Sequence, residues 1–199
     1  DGRRNEDYFD SKMWGVDIEF QKEVDSVNLA YGLDFYQDKV ISGRTDTSAD
    51  GLVKTERIQG PVGDDSRYDQ LGIYVKGSWA LNERLKLTLA TRFANVDAKV
   101  GRYEDPVTGE ATSYSEEWSD FISSTRVSYA LGAADSTKLW AGVSQAFRAP
   151  NIADISRYGA SRSNEIEIAA TVLEPESFIS YEMGIKTEND RCQGGLSYY

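Results

Sequence analysis

The chain has no histidine and only one cysteine among its 199 residues, and each scarcity excludes a kind of chemistry. Without histidine, this sequence offers no imidazole base and no His-ligated metal or haem. The lone Cys192 excludes an internal disulfide and cannot by itself build a zinc site. Cations are also outnumbered, and the formal net charge of -11 argues against nucleic acid as a partner, because phosphate binding requires a basic surface.

Long apolar runs and the common catalytic motifs are missing as well. No stretch of 18 consecutive apolar residues occurs, so the chain lacks the sequence of a membrane-spanning helix. There is no nucleophile elbow, no Walker loop and no G-x-G-x-x-G. We therefore predict that the chain is not an enzyme and that it binds no cofactor.

The sequence does contain regular alternation of apolar and polar residues. Between Lys138 and Arg148, residues Leu139, Val143 and Phe147 share one face, while Trp140, Ser144 and Arg148 share the other. This period of two is typical of a strand whose faces meet different surroundings. The same pattern recurs at 14–20, 27–35, 70–81, 85–94, 121–131, 179–186 and 192–199. It predicts an all-β fold, an antiparallel meander of about eight strands, most of them about 9 to 12 residues long.

The predicted connections alternate between short and long. Tight turns follow the first, third, fifth and seventh strands, whereas polar segments at about 38–69, 96–119 and 152–172 follow the others. An antiparallel sheet connected in this way has all its tight turns at one end and its long loops at the other. No residue assigned to an apolar face is charged, although 28% of the chain is charged.

Two architectures produce such alternation: a soluble β-sandwich with an internal core, and a transmembrane β-barrel. The loop asymmetry and the strand length favour the barrel, since a tilted membrane strand needs about 9 to 11 residues. Many inward positions hold Gly, Ala or Ser, which are too small to fill a narrow lumen, so we expect eight neighbouring strands of a wider barrel. The aromatic residues predicted to form interfacial girdles are Trp14, Phe20, Phe35, Trp79, Phe93, Phe121, Tyr129 and Phe147.

Two motifs resemble those of a known family. S-Q-A-F-R-A-P-N at 144–151 and L-E-P-E-S-F-I-S-Y-E-M-G-I-K at 173–186 are similar to the paired barrel motifs of TonB-dependent outer-membrane receptors, and 31–40 and 71–79 resemble two further strands of that family. The resemblance spans nearly the whole chain. The motif residues are Phe147, Arg148, Ala149, Pro150, Pro175, Glu176, Tyr181, Glu182 and Gly184.

The resemblance implies a 22-stranded barrel in the outer membrane, filled by an N-terminal plug and energised by the TonB complex. Residues 1–199 would then be part of the barrel domain, truncated at both ends, with the plug and the TonB box outside the chain. The implied function is import of a scarce small ligand, such as a siderophore-type iron chelate or an oligosaccharide. The implied partners are outer-membrane lipid, the imported ligand and the TonB complex, which is reached through the plug. The alternative is a non-transporting outer-membrane or secreted β-protein that acts as an adhesin or a structural barrel.

The loop between the two motifs is the predicted ligand-binding segment. Haem receptors of the family commonly place a histidine there, so its absence counts against haem. For each candidate residue the alternative is a solvated position or a salt bridge between loops. Arg148 is predicted to be an inward structural ion-pair partner rather than a substrate clamp. The candidate ligand contacts are Asp154, Arg157, Tyr158, Arg162, Asn164 and Glu165.

One segment, D-T-S-A-D-G at 46–51, has oxygen ligands spaced somewhat like a calcium loop. The position that would need the bidentate glutamate of an EF-hand is Arg57, so an EF-hand is excluded. A looser structural calcium site in an external loop, formed by Asp46 and Asp50, is a hypothesis beside that of a plain polar turn.

Overall fold

The computed structural model describes residues 4–131, 136–160, 166–170, 172–189 and 192–199. Within these ranges, nine strands form one antiparallel sheet, and a short hairpin and one helical turn lie beside it. The sheet strands are β1 (Arg4–Val24), β2 (Val27–Thr47), β3 (Lys54–Glu56), β4 (Asp64–Ala80), β5 (Leu85–Glu104), β6 (Ala111–Leu131), β7 (Thr137–Arg148), β10 (Glu176–Asn189) and β11 (Cys192–Tyr198). The other elements are α1 (Ile152–Ser156), β8 (Gly159–Ala160) and β9 (Ile166–Glu167).

The strands follow one another as a meander. Their order in the sheet is β1-β2-β4-β5-β6-β7-β10-β11, with β3 paired to the outer part of β2. Each neighbouring pair is antiparallel, and the described sheet does not close on itself. The predicted meander of about eight strands is therefore confirmed. None of the helices in the part of the chain that the structure describes has the length and apolar character needed to cross a membrane.

The strands are longer than predicted. Seven of them contain 12 to 21 residues, because they continue through much of the segments predicted as loops. The predicted excursion at 96–119 was wrong: β5 and β6 pair as far as Glu104 and Ala111, and only a short turn joins them. The excursion at 38–69 was wrong in part, since β2 runs to Thr47 and β4 begins at Asp64.

The apolar face of the sheet is continuous and exposed. We call residues that lie directly opposite one another across neighbouring strands a row; one such row contains Ile18, Leu33, Ile73, Phe93 and Phe121. Phe121 is 68% exposed and Ile73 is 52% exposed, so these side chains do not pack into a dry interior. The face therefore lacks the internal packing of a soluble sandwich and has the chemistry of a lipid-facing surface.

Aromatic side chains gather near the ends of this apolar face. The ring centroids of Trp14 and Phe35 are 5.3 Å apart, and those of Phe93 and Phe121 are 5.0 Å apart, all near the end that carries the long connections. Trp79 and Tyr129 lie near the opposite end, beside the tight turns. This distribution is typical of interfacial aromatic girdles.

The buried apolar cluster lies on the other face, at the end of the sheet that carries the long connections. Val40, Ala98 and Val100 project from β2 and β5 and pack with Ile152 and Ile155 of α1. Ala98 and Ile155 are fully buried. The connection between β7 and β10 is thus folded back against the polar face of the sheet.

Candidate functional site

The polar face of the sheet is held by ion pairs and hydrogen bonds between strands. Arg92 of β5 donates to both carboxylate oxygens of Asp34 of β2, at 2.6 and 2.7 Å. The pair crosses β4 at Gly72, where a side chain would overlap the guanidinium. Tyr36 and Tyr74 donate their hydroxyls to two carboxylates of β1, Asp17 and Glu19. These polar contacts satisfy charged groups that face a lumen rather than lipid.

Arg148 of the first family motif joins the two ends of the β7–β10 connection. Its guanidinium donates to Glu176 at the start of β10 at 3.0 Å and to Asp154 of α1 at 2.7 Å. Asn151 caps α1, because its side chain accepts from the Asp154 amide while Asp154 accepts from the Asn151 amide. The arginine therefore fixes the point where the chain leaves the sheet to the point where it returns.

A buried polar network fixes the same connection to the β2–β4 connection. Gln59, which is 1% exposed, donates to the Ser156 carbonyl at 2.7 Å and accepts from the Glu104 amide at 2.8 Å. The Ser156 hydroxyl accepts from the Gly63 amide at 2.8 Å. Because unpaired buried polar groups are costly, these bonds define one arrangement of the two connections. We call this assembly of α1 and residues 59–63 the external cap.

A polar hollow of 560 Å³ lies beside the cap, at the outer ends of β1, β2 and β3. Two guanidinium groups share one carboxylate in its wall: Asp46 accepts from Arg44 Nε at 3.0 Å and from Arg57 Nε at 2.8 Å. Burial acts to raise the pKa of Asp46, but the hydrogen bonds from the two arginines outweigh it and the net pKa is lowered. The hollow is lined by Asn5, Arg44, Asp46, Thr47, Ser48, Val53, Thr55 and Arg57.

The candidate ligand residues of the β7–β10 connection have partners within the chain where they are described. Asp154 accepts from the Asn151 amide in the capping box of α1 and binds Arg148, and Arg157 pairs with Glu167 at 2.6 Å. Tyr158 donates its backbone amide to the Pro61 carbonyl, and burial followed by the nearby Glu104 raises the pKa of its phenol. Arg162, Asn164 and Glu165 lie outside the described residues. A ligand-binding role for these six residues stays a prediction.

The two aspartates of the calcium hypothesis are bound to separate groups. Asp46 binds the two arginines, and Asp50 accepts from the Ser48 hydroxyl and from the Leu52 amide. The described residues contain no group of three or more Asp, Glu, Cys or His side chains that could hold a metal ion. Calcium at Asp46 would have to compete with Arg57, and the site stays a prediction.

The remaining motif residues lie in or next to β7 and β10. Ala149 and Pro150 are buried where the chain leaves β7, and Tyr181 is 71% exposed on the apolar face. On the polar face, Glu182 accepts from Arg126 at 3.1 Å. Gly184 lies against the Trp140 ring, where a Cβ would come within 2.8 Å of it. Phe147 ends the apolar face of β7, opposite Ser177, and Pro175 precedes β10.

Sequence reasoning did not identify the Asp34–Arg92 pair, the Gln59 network or the hollow around Arg44 and Arg57. Asp34 and Arg92 are separated by 58 residues, and only the register of three strands brings them together. Gly72, a glycine on the polar face between two charged strands, was the available sequence signal. Gln59 lay in a segment predicted as an unstructured excursion.

Comparisons with known proteins agree with this architecture. The family described as "TonB dependent receptor-like, beta-barrel" matches residues 1–199. No curated protein sequence matches the chain. Among solved structures, the copper transporter OprC has a TM-score of 0.75 at 18% identity and covers 96% of this chain. The Serratia marcescens hemophore receptor HasR, solved with HasA and heme, has a TM-score of 0.68 at 15% identity and covers 92%. The Acinetobacter baumannii siderophore receptor PiuA has a TM-score of 0.66 at 11% identity and covers 91%.

The chain spans about 30% of the length of each of these three structures. At this identity they show the shared fold, and the family match covers every residue of the sequence. The antiparallel meander, the exposed apolar face and the ion-paired polar face are the wall of a larger barrel. The chain therefore belongs to the β-barrel family of TonB-dependent receptors.

Proposed function

We propose that this chain forms part of the wall of an outer-membrane receptor that imports a scarce small ligand, using energy delivered by the TonB complex through a plug domain. Members of the family are transporters and not enzymes. The observation that carries the proposal is the opposition of the two faces of the sheet. The apolar face is uncharged over 14–20 of β1, 27–35 of β2 and 85–93 of β5, with many of its side chains exposed, and the other face is crossed by ion pairs such as Asp34–Arg92.

The orientation follows from the two ends of the sheet. Tight turns such as the one between Val24 and Val27 lie at one end, and the cap and the polar hollow lie at the other. Outer-membrane barrels have short periplasmic turns and long external loops. The cap and the hollow therefore face the outside, where a ligand would arrive.

The chemistry of the hollow favours a small polar ligand. Arg44 and Arg57 share Asp46, and hydroxyl and amide side chains complete the wall. Such a site suits the anionic oxygens of a siderophore-type iron chelate, and the hydroxyls of an oligosaccharide are the second possibility. The similar structures include a siderophore receptor and a ferric citrate transporter beside a copper transporter and a hemophore receptor, so an iron chelate is one of the ligand classes that they support.

The test is nutrient uptake by a strain that lacks the complete gene. We expect the deletion strain to lose uptake of one radiolabelled iron chelate or oligosaccharide, and the wild-type gene to restore it in an energy-dependent manner. Arg57→Gln should raise the half-saturating concentration several-fold. Arg102→Gln is the matched control, because this exposed arginine also pairs with an external carboxylate, Asp64, but does not line the hollow. Unchanged uptake of every tested nutrient by the deletion strain would favour an adhesin or structural barrel.

A further inference from the structure

Four cations form one row on the outward face near its external end, one outward row beyond Trp14, Gln37, Asp69 and Asp97. Lys12 of β1 lies opposite Lys39 of β2, Lys39 lies opposite Arg67 of β4, and Arg67 lies opposite Lys99 of β5. Neighbouring strands are about 4.8 Å apart, so the four backbone positions span about 14 Å. We call these four residues the cation row.

The cation row is unfavourable for the sheet in isolation. Like charges directly opposite each other destabilise an antiparallel pair, and the row contains three such pairs in succession. An anionic partner that lies across the row would remove this repulsion. The side chains are accessible to such a partner: those of Lys12, Arg67 and Lys99 are 81%, 47% and 51% exposed, and Lys39 is also exposed.

Carboxylates of the same strands neutralise the row only in part. Arg67 pairs with Asp69, Lys99 pairs with Asp97 at 3.2 Å, and Lys12 approaches an Asp10 oxygen at 3.7 Å. Within the described residues, Lys39 forms no ion pair. The pairs of Lys12 and Lys99 are exposed and weak, so these two cations can exchange their partners for a stronger anion, whereas Arg67 is paired with the buried Asp69.

Lys12 and Lys39 lie at the height of the headgroup layer of a bilayer, whereas Lys99 is six residues beyond Phe93 and lies further outside. Lys12 is two residues beyond Trp14, and Lys39 is four residues beyond Phe35, each aromatic being the last of the apolar face on its strand. These separations are about 7 and 14 Å along the strand, and less in depth because membrane strands tilt. The long side chains of lysine and arginine extend their charges toward the interface.

We propose that the cation row binds the phosphate groups of lipid headgroups in the outer leaflet of the membrane. The proposal rests on the proposed function, because it requires the apolar face to lie in lipid with the long connections outside. The occupant is identified as lipid because its phosphates complement the positive charge of the row, and because the row lies on the same face as the lipid-facing rows. The row would hold phosphorylated lipids against the outer surface of the barrel.

The test uses the full-length receptor in non-ionic detergent and counts bound diphosphoryl lipid A by native mass spectrometry during a titration. The double variant Lys12→Gln/Lys39→Gln should bind this lipid about 25-fold more weakly, since each cation near an anionic lipid surface contributes about fivefold in affinity. Lys12→Arg/Lys39→Arg should bind like the wild type. Lys22→Gln is the matched control, because Lys22 is an exposed outward lysine at the opposite end of β1.

Two further arms identify the source of the anion. Phosphate-free lipid A should bind weakly to all variants, and inorganic phosphate at tenfold excess should not displace the diphosphoryl lipid. Equal binding of both lipids, equal binding by all variants, or displacement by inorganic phosphate would overturn the inference. Folding is checked by the heat-dependent electrophoretic shift of the barrel. A receptor that is folded in the outer membrane but does not distinguish the two lipids contradicts only this inference, whereas absence from the outer membrane contradicts the proposed function itself.

Discussion

Val143 and Ser144 are adjacent residues of β7 that face opposite sides of the sheet, and a lysine at each should have a very different effect. Val143 is 37% exposed and lies between Thr125 and Tyr181 on the apolar face. Four residues separate it from Leu139 toward one end and from Phe147 toward the other, which is about 14 Å of strand in each direction. With a tilt of about 40°, Val143 is about 10 Å deep and close to the midplane.

The expected cost follows from this depth. A lysine on the lipid-facing side at the midplane destabilises a barrel by about 2 to 4 kcal/mol, so Val143→Lys should lose this amount of unfolding free energy. Ser144 faces a hollow of 350 Å³ that is also lined by Arg126 and Glu182. A lysine there can reach water and the Glu182 carboxylate, so Ser144→Lys should cost about 1 kcal/mol or less.

The assay is urea unfolding of the full-length receptor in phospholipid vesicles, followed by tryptophan fluorescence. Val143→Leu is the control for packing at the lipid-facing position and should be nearly neutral, because it keeps the side chain apolar. An equal loss for the two lysine variants, or a greater loss for Ser144→Lys, would refute the assignment of the two faces. Such a result would mean that the apolar face does not contact hydrocarbon.

Three further predictions concern the external end. Arg148→Gln breaks both ion pairs of the motif arginine. Because these groups are about half exposed, the free energy of unfolding should change by less than about 1 kcal/mol. Limited proteolysis within 149–175 should become several-fold faster. Because the pKa of Asp46 is lowered, its contribution to stability is complete above its unfolded pKa of about 3.9 and is lost as the pH falls through the folded pKa. The protease resistance of residues 44–57 should therefore decrease in acid. Asp46→Asn should abolish this pH dependence. If calcium binds at Asp46 and Asp50, titration with calcium should protect the same segment from protease, and no protection would exclude the site.

The transmembrane part of each strand could be predicted from the sequence because its two faces meet different surroundings. In β5, residues Leu85 to Phe93 place their apolar side chains at odd positions, which face outward. Beyond Asn95 the phase inverts, and the apolar side chains at even positions, Val96, Ala98 and Val100, are 7%, 0% and 1% exposed on the inner face. The prediction ended the strand at this inversion. The strand in fact continues, and its apolar side chains face the inner cluster instead of the outside.

The candidate site was less predictable because it is built from contacts between distant segments. The motif around Arg148 located the exit of the chain from the sheet, but its partner Asp154 depends on the folding of α1. Gln59 and Ser156 are separated by 97 residues, and neither lies in a periodic segment. Local alternation carries no information on such pairs, so they require the three-dimensional register.

The position of the apolar face along the strands supplies an independent argument for a tilted barrel. The external limit of the apolar face is Trp14 on β1, Phe35 on β2, Phe93 on β5 and Ile179 on β10. In register, this limit moves by six residues, or three outward-facing rows, toward the end with the tight turns. Three rows correspond to about 20 Å along the strands, and the six steps from β1 to β10 correspond to about 29 Å across them. The apolar boundary is thus inclined by about 35° to the rows. A flat membrane surface cuts a sheet in this way only when the strands tilt by the same angle, and the value lies within the range of about 35 to 45° found in outer-membrane barrels.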